Sequence, residues 1–98
     1  MLSWVLAEKL KSKNVTVNAC HPGVINTQLL QNLGFGSDAT PQDGAQTPLW
    51  LATSKDVEGI TNKYFDSKKE KTCNFRDEKQ LNKLWEKLVE ITKYNPNL

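Results

Sequence analysis

Val15-Thr16-Val17-Asn18-Ala19-Cys20-His21-Pro22-Gly23-Val24-Ile25-Asn26-Thr27 is the stretch on which the fold turns. Residues 15–20 are rich in β-branched side chains and read as a strand. Pro22 cannot continue a ladder and Gly23 frees the backbone, so the strand stops there. Upstream, Leu2, Val5, Leu6 and Leu10 fall at helical spacing, with Glu8, Lys9, Lys11 and Lys13 between them. That predicts an amphipathic helix over residues 1–11, ended by Asn14. A helix, a tight turn and a strand make half of a βαβ unit.

Downstream, Leu29, Leu30, Leu33 and Phe35 suggest a short helix before Gly34 and Gly36 loosen the chain. Thr40-Pro41-Gln42-Asp43 is a helix start, with Thr40 as cap, Pro41 in the first position and Asp43 near the positive end. This helix runs to about Thr53, and Pro48 inside it should kink it or shift its first turn. Gly59 opens a second strand over residues 60–65, and residues 67–75 read as polar loop. Asp77 then caps a last helix, with Gln80 in the reciprocal position of a capping box. Its apolar stripe is Leu81, Leu84, Trp85, Leu88 and Ile91. Strands alternating with helices imply parallel pairing and an α/β class.

Bulk properties narrow the function classes. The chain has 98 residues, a net charge of +2 and 24% charged residues, a globular composition sized for one domain. Lys68, Lys69 and Lys71 cluster, but Glu70 interrupts them and no aromatic platform accompanies them, so no nucleic-acid partner is expected. Cys20 and Cys73 form no disulfide framework, and with His21 they make no metal-ligand spacing. Two free thiols fit a reducing, cytoplasmic compartment. The apolar run at residues 1–7 is too short to be a membrane segment.

In open α/β sheets ligands bind beyond the carboxyl ends of the strands. Here that place holds the turn at Pro22 and Gly23, the outward backbone amides of Val24 and Ile25, and the hydroxyl of Thr27. Such a gathering of donors and acceptors suits an amide or phosphate group.

The stretch from Val15 to Thr27 closely resembles the sixth strand and following Pro-Gly loop of short-chain dehydrogenases/reductases, nearest to the retinol-dehydrogenase-like and WW-domain-oxidoreductase-like branch. The likeness continues through Pro41-Gln42-Asp43-Gly44-Ala45-Gln46-Thr47, Leu51-Ala52-Thr53-Ser54, Val57-Glu58-Gly59-Ile60, Lys63-Tyr64-Phe65 and Leu84-Trp85-Glu86, which covers nearly the whole chain. The resemblance implies that residues 1–98 are the C-terminal segment of one Rossmann-type domain, the last two strands of a doubly wound parallel sheet with their flanking helices. It implies an NAD(P)-dependent oxidoreductase acting by hydride transfer on an apolar alcohol or carbonyl compound. Pro22, Gly23, Val24, Ile25 and Thr27 would line the nicotinamide end of the cofactor. Residues 28–39 would form the substrate lid, with Leu29, Leu30, Leu33 and Phe35 facing the substrate; the competing reading is that these four pack the core.

The family's Gly-rich phosphate turn and its Ser and Tyr-x-x-x-Lys group have no counterpart in this chain, so no catalytic residue is assigned. Tyr64 and Lys68 have the Tyr-x-x-x-Lys spacing, but they straddle a strand end and a loop instead of sharing a helix face. His21 is not expected to act as an acid or base. The chain alone should therefore bind the cofactor weakly or not at all and be inactive. The alternatives are a non-catalytic module that self-associates or pairs with a full-length relative, and a truncated gene product.

Overall fold

The computed structural model describes residues 1–98. The elements are α1 (Leu2–Leu10), β1 (Ala19–His21), α2 (Gln28–Asn32), α3 (Pro41–Thr53), β2 (Tyr64–Asp66), β3 (Lys69–Lys71) and α4 (Glu78–Thr92). They divide between two compact units.

The first unit comprises residues 1–19, 59–63 and 72–98. α1 buries Trp4, Val5 and Ala7. Asn14 turns the chain out of this region in the left-handed conformation, with φ of 57°. The expected strand at residues 15–20 is shorter: only its end enters β1, and residues 15–18 form no regular ladder. Side chains take the hydrogen bonds that a ladder would need. The Val17 amide donates to Thr61 Oγ1 at 2.9 Å, Asn18 Nδ2 donates to the Ile60 carbonyl at 2.9 Å, and Asn18 Oδ1 accepts from the Lys63 amide at 3.0 Å. The backbone bonds that survive, Asn62 N–H to Val17 O at 2.8 Å and Ala19 N–H to Lys63 O at 2.9 Å, rise together along both stretches, the parallel sense.

α4 packs on α1, with Lys9 Nζ 4.6 Å above the Trp85 ring. Asp77 caps α4 as expected, but its carboxylate accepts from the Lys79 amide at 2.9 Å, and the reciprocal bond from Gln80 does not form. Leu81, Leu84, Trp85 and Leu88 are half-buried, whereas Ile91 is exposed. Arg76 joins three separate parts of this unit. Its guanidinium carbon lies 4.0 Å above the Trp4 ring, while its nitrogens donate to Asn62 Oδ1 at 3.0 Å and Asn62 O at 2.9 Å.

The second unit comprises residues 20–58 and 64–71. The three strands form one sheet in the order β1-β2-β3. β2 and β3 are an antiparallel hairpin, with Tyr64 opposite Lys71 and Asp66 opposite Lys69. The fold is α/β, but this hairpin makes the sheet mixed where a wholly parallel one was expected. It also replaces part of the polar loop expected at residues 67–75. Two signals that would have revealed it are missing. β3 is Lys-Glu-Lys, with no β-branched or aromatic residue, and the turn residues Ser67 and Lys68 have φ of 52° and 61° without being Gly or Asn.

α3 begins on a complete capping box. The Asp43 amide donates to Thr40 Oγ1 at 3.2 Å, and Asp43 Oδ2 accepts from the Thr40 amide at 2.7 Å. The helix continues through Pro48 to Thr53. Thr47, Val57 and Phe65 are buried, and Trp50 meets Phe65 edge-on with ring centroids 5.5 Å apart. No helix of the chain is long and apolar enough to cross a membrane.

Candidate functional site

The segment leaving β1 is held from two sides. Gly23 takes φ of 97°, a conformation that side chains disfavour. The next carbonyl, that of Val24, accepts from Ser37 Oγ at 2.6 Å, and the Asn26 amide donates to Ala39 O at 2.9 Å. These bonds tie the loop to the chain just ahead of α3. Ile25 packs on α3 where Gly44 leaves room: a Cβ added at Gly44 would lie 2.8 Å from Ile25 Cγ1.

This arrangement leaves the backbone N–H groups of Val24 and Ile25 without a hydrogen bond inside the chain. Thr27 has a task that the sequence reading missed. It is the N-cap of α2, with its Oγ1 accepting from the Leu30 amide at 3.3 Å. The signal for this was present, since a Thr directly before a short apolar-periodic segment is a cap candidate.

Beside the turn lies a cavity of about 270 Å³. Its walls are His21, Pro22 and Gly23 from the end of β1, Asp43, Gln46 and Thr47 from α3, and Asp66, Ser67 and Lys68 from the hairpin turn. It thus gathers Pro22 and Gly23 of the expected nicotinamide contacts, but not Val24, Ile25 or Thr27. The three hairpin residues were not anticipated, because the hairpin itself was not. Tyr64 stands in β2 and Lys68 in the turn, so the pair does not share a helix face. Two hydrogen bonds from Thr40, backbone first and hydroxyl second, lower the pKa of Asp43.

Leu29, Leu33 and Phe35 are 69%, 62% and 65% exposed, so these three do not pack the core. Leu30 is half-buried. Cys20 and Cys73 are free, and no group of three or more His, Cys, Asp or Glu residues is placed to hold a metal ion.

Comparison with known proteins gives relatives of one kind. Retinol dehydrogenase 14 of Mus musculus is 40% identical over 96 residues, spanning 83% of this chain and 29% of that protein. Retinol dehydrogenase 13 of Mus musculus is 33% identical over 97 residues, 82% of this chain and 29% of the relative. Short-chain dehydrogenase TIC 32 B, chloroplastic, of Brassica napus is 33% identical over 101 residues, 88% of this chain and 31% of the relative. No family model matches, and no solved structure matches. The chain is homologous to retinol dehydrogenases and other short-chain dehydrogenases/reductases, and it spans about three tenths of the length of these relatives.

Proposed function

We propose, on the premise of this kinship, that residues 1–98 are the C-terminal segment of an NAD(P)-dependent oxidoreductase domain of Rossmann type. The segment supplies one wall of the nicotinamide pocket and the substrate lid. The observation that carries the reading is the 40% identity to Retinol dehydrogenase 14 across 96 residues.

The residues present fit the nicotinamide end of such a cofactor. Val24 and Ile25 offer two unbonded N–H donors at a strand end, suited to the oxygen of a carboxamide. Thr27 keeps its hydroxyl hydrogen for donation while its oxygen caps α2. The neighbouring cavity, at about 270 Å³, lies just below the range of ~300–1,000 Å³ for drug-sized ligands. It suits one end of a dinucleotide and not the whole. Nothing in the chain matches a strand followed by a Gly-rich turn, so the diphosphate is held by other polypeptide.

When bound, the nicotinamide supplies hydride transfer to or from an alcohol or carbonyl carbon. The chain's share is to orient the ring through Val24 and Ile25. It also presents Leu29, Leu33 and Phe35 to an apolar substrate, excluding water from it. On this reading the isolated chain binds the cofactor weakly or not at all and has no turnover.

The test is a chimera in which this chain replaces the matching stretch of mouse Retinol dehydrogenase 14. Nicotinamide-dependent oxidation of an apolar alcohol is the expected result. A folded chimera that neither binds dinucleotide nor turns over refutes the proposal. Turnover by the isolated chain, reduced in Thr27→Ala, refutes its inactivity alone.

A second reading, a non-catalytic module that pairs with itself or with a full-length relative, draws on the exposed apolar side chains, among them Leu29, Leu33, Phe35 and Ile91. Co-purification of the chain with that relative is its test.

A further inference from the structure

We propose that a second cavity, walled by α1 and α4 in the first unit, binds a small aliphatic amine that also carries an oxygen acceptor, an amino alcohol in its simplest form. None of its walls belongs to the nicotinamide or lid residues, so the site stands or falls separately from that reading.

The first observation is the Trp4 indole. The residue is 3% exposed, and its Nε1 is the one buried side-chain nitrogen or oxygen of the chain without a hydrogen-bond partner. A buried indole N–H ordinarily finds an acceptor, and one left without bears the full cost of its desolvation. The ring is held where it is. The Arg76 guanidinium lies 4.0 Å above it and is itself fixed by two hydrogen bonds to Asn62. Trp4 helps to wall a cavity of about 410 Å³, together with Glu8, Asn62, Arg76, Glu78 and Leu81. An acceptor entering this cavity removes the cost.

The second observation is the charge left unspent around the same space. Glu8 follows Trp4 by four residues on α1, and Glu78 precedes Leu81 by three on α4, so each carboxylate shares a helix face with an apolar wall residue. Both glutamates are exposed, and neither side chain has a hydrogen bond or an ion pair within the chain. Arg76 does not pair with them, because Trp4 and Asn62 occupy it. The walls therefore run from an unpaired donor at depth to two free carboxylates nearer solvent.

That order selects the ligand. Two carboxylates against one engaged guanidinium make the wall formally negative, so anions are repelled. A plain alkylamine suits the carboxylates and leaves the indole unpaired, while a plain alcohol does the reverse. A molecule with both groups, joined by methylenes that lie along Leu81, serves both ends. Arg76 already covers a face of the indole, so the ammonium goes to Glu8 and Glu78 and not to the ring. The volume falls within the range of ~300–1,000 Å³ for small ligands.

The test is titration of the isotopically labelled chain with aminopentanol, its amine and hydroxyl at opposite ends. Pentylamine, pentanol and acetate are separate arms. The indole N–H resonance of Trp4 reads the new bond directly, with Trp50 and Trp85 as internal references. A saturable downfield shift of that resonance with aminopentanol is expected. Pentylamine should bind roughly 2- to 12-fold more weakly, the loss of one hydrogen bond, and should leave the resonance without that shift. Glu8→Gln and Glu78→Gln should each weaken both amines roughly 1.5- to 5-fold. Trp4→Phe keeps a ring beneath Arg76 and should abolish the preference for aminopentanol over pentylamine. If that variant fails to fold, the comparison of the two amines on the native chain and the two glutamate variants carry the test. A Trp4 indole resonance that does not move, equal affinity for the two amines in the native chain, tighter binding of acetate, or undiminished affinity in either folded glutamate variant overturns the site.

Discussion

Gly44→Ala is the substitution that most directly tests how the turn after β1 is seated. In an exposed helix interior this change is stabilising by ~0.8–1 kcal/mol, because Gly loses more backbone freedom on folding. Here the new Cβ would lie 2.8 Å from Ile25 Cγ1, 3.1 Å from Cδ1 and 3.5 Å from Cγ2. The nearest atom is not the flexible tip of the side chain. It hangs directly on the branched Cβ of Ile25, whose χ1 is stiff. The side chain, and with it the backbone of residues 24–26, must therefore move. Overpacking of this kind costs ~1–3 kcal/mol. The balance is a net loss of about 0–2 kcal/mol, and each kcal/mol lowers the melting temperature of a domain this size by roughly 4–8 °C.

Urea titration followed by circular dichroism measures the loss, and repeating it with Ile25→Ala isolates the contact. With Ile25 truncated, Gly44→Ala should become stabilising by ~1 kcal/mol, a coupling of about 1–3 kcal/mol between the two positions. Amide shifts of Val24 and Ile25 should move in the single variant. A rise in stability of ~1 kcal/mol in the otherwise native chain, with those shifts unchanged, would refute the reasoning.

Thr40→Ala removes the side-chain half of the capping box, leaving the backbone N–H of residue 40 to Asp43, and should cost ~1 kcal/mol in the same urea assay. It should raise the Asp43 pKa only in part, because the larger cause, the backbone N–H of residue 40, survives the change while the hydroxyl is lost; carboxyl-carbon titration reads the shift. Because that pKa is lowered in the folded state, the stabilisation from Asp43 is full above the unfolded value near ~3.9 and fades as pH falls through the lower folded one. In Asp43→Asn that acid-side dependence should flatten. Arg76→Lys keeps the charge but cannot both stack on Trp4 and reach Asn62 twice, so urea unfolding should show a loss of ~1–2 kcal/mol. Replacing Ser67-Lys68 by Asn-Gly relieves two left-handed residues and should raise stability by ~1–2 kcal/mol by thermal melting.

What could be read in advance was whatever local chemistry decides. The cap at Thr40, the stop at Asn14 and the helix over residues 78–92 rest on side chains acting within a turn or two of themselves, and they came through. The strands did not come through whole. Residues 15–18 have the composition of a strand, but their hydrogen bonds run through the side chains of Asn18 and Thr61 to partners 42 to 45 residues away, a separation that no local pattern reports. The hairpin escaped because its turn is built from residues that tolerate positive φ poorly and its second strand is all charged. At the site, the Pro-Gly turn was legible, while the cavity beside it depends on α3 and the hairpin meeting. For Leu29, Leu33 and Phe35, periodicity could identify a short helix but could not say which way it faced; their exposure does.

The Arg76 clamp bears on the order of assembly during synthesis. Trp4 leaves the ribosome 72 positions ahead of the Arg76 guanidinium that covers its ring, and Asn62, which holds that guanidinium, lies 14 residues before Arg76. Until that late stretch is available, the indole has no lid, and α1 waits as a sticky, half-finished surface. Closing so wide a span is entropically slow compared with forming a local helix. α1 is therefore completed by a segment made much later, and a nascent polypeptide halted between Trp4 and Arg76 leaves an aromatic face open to whatever it meets.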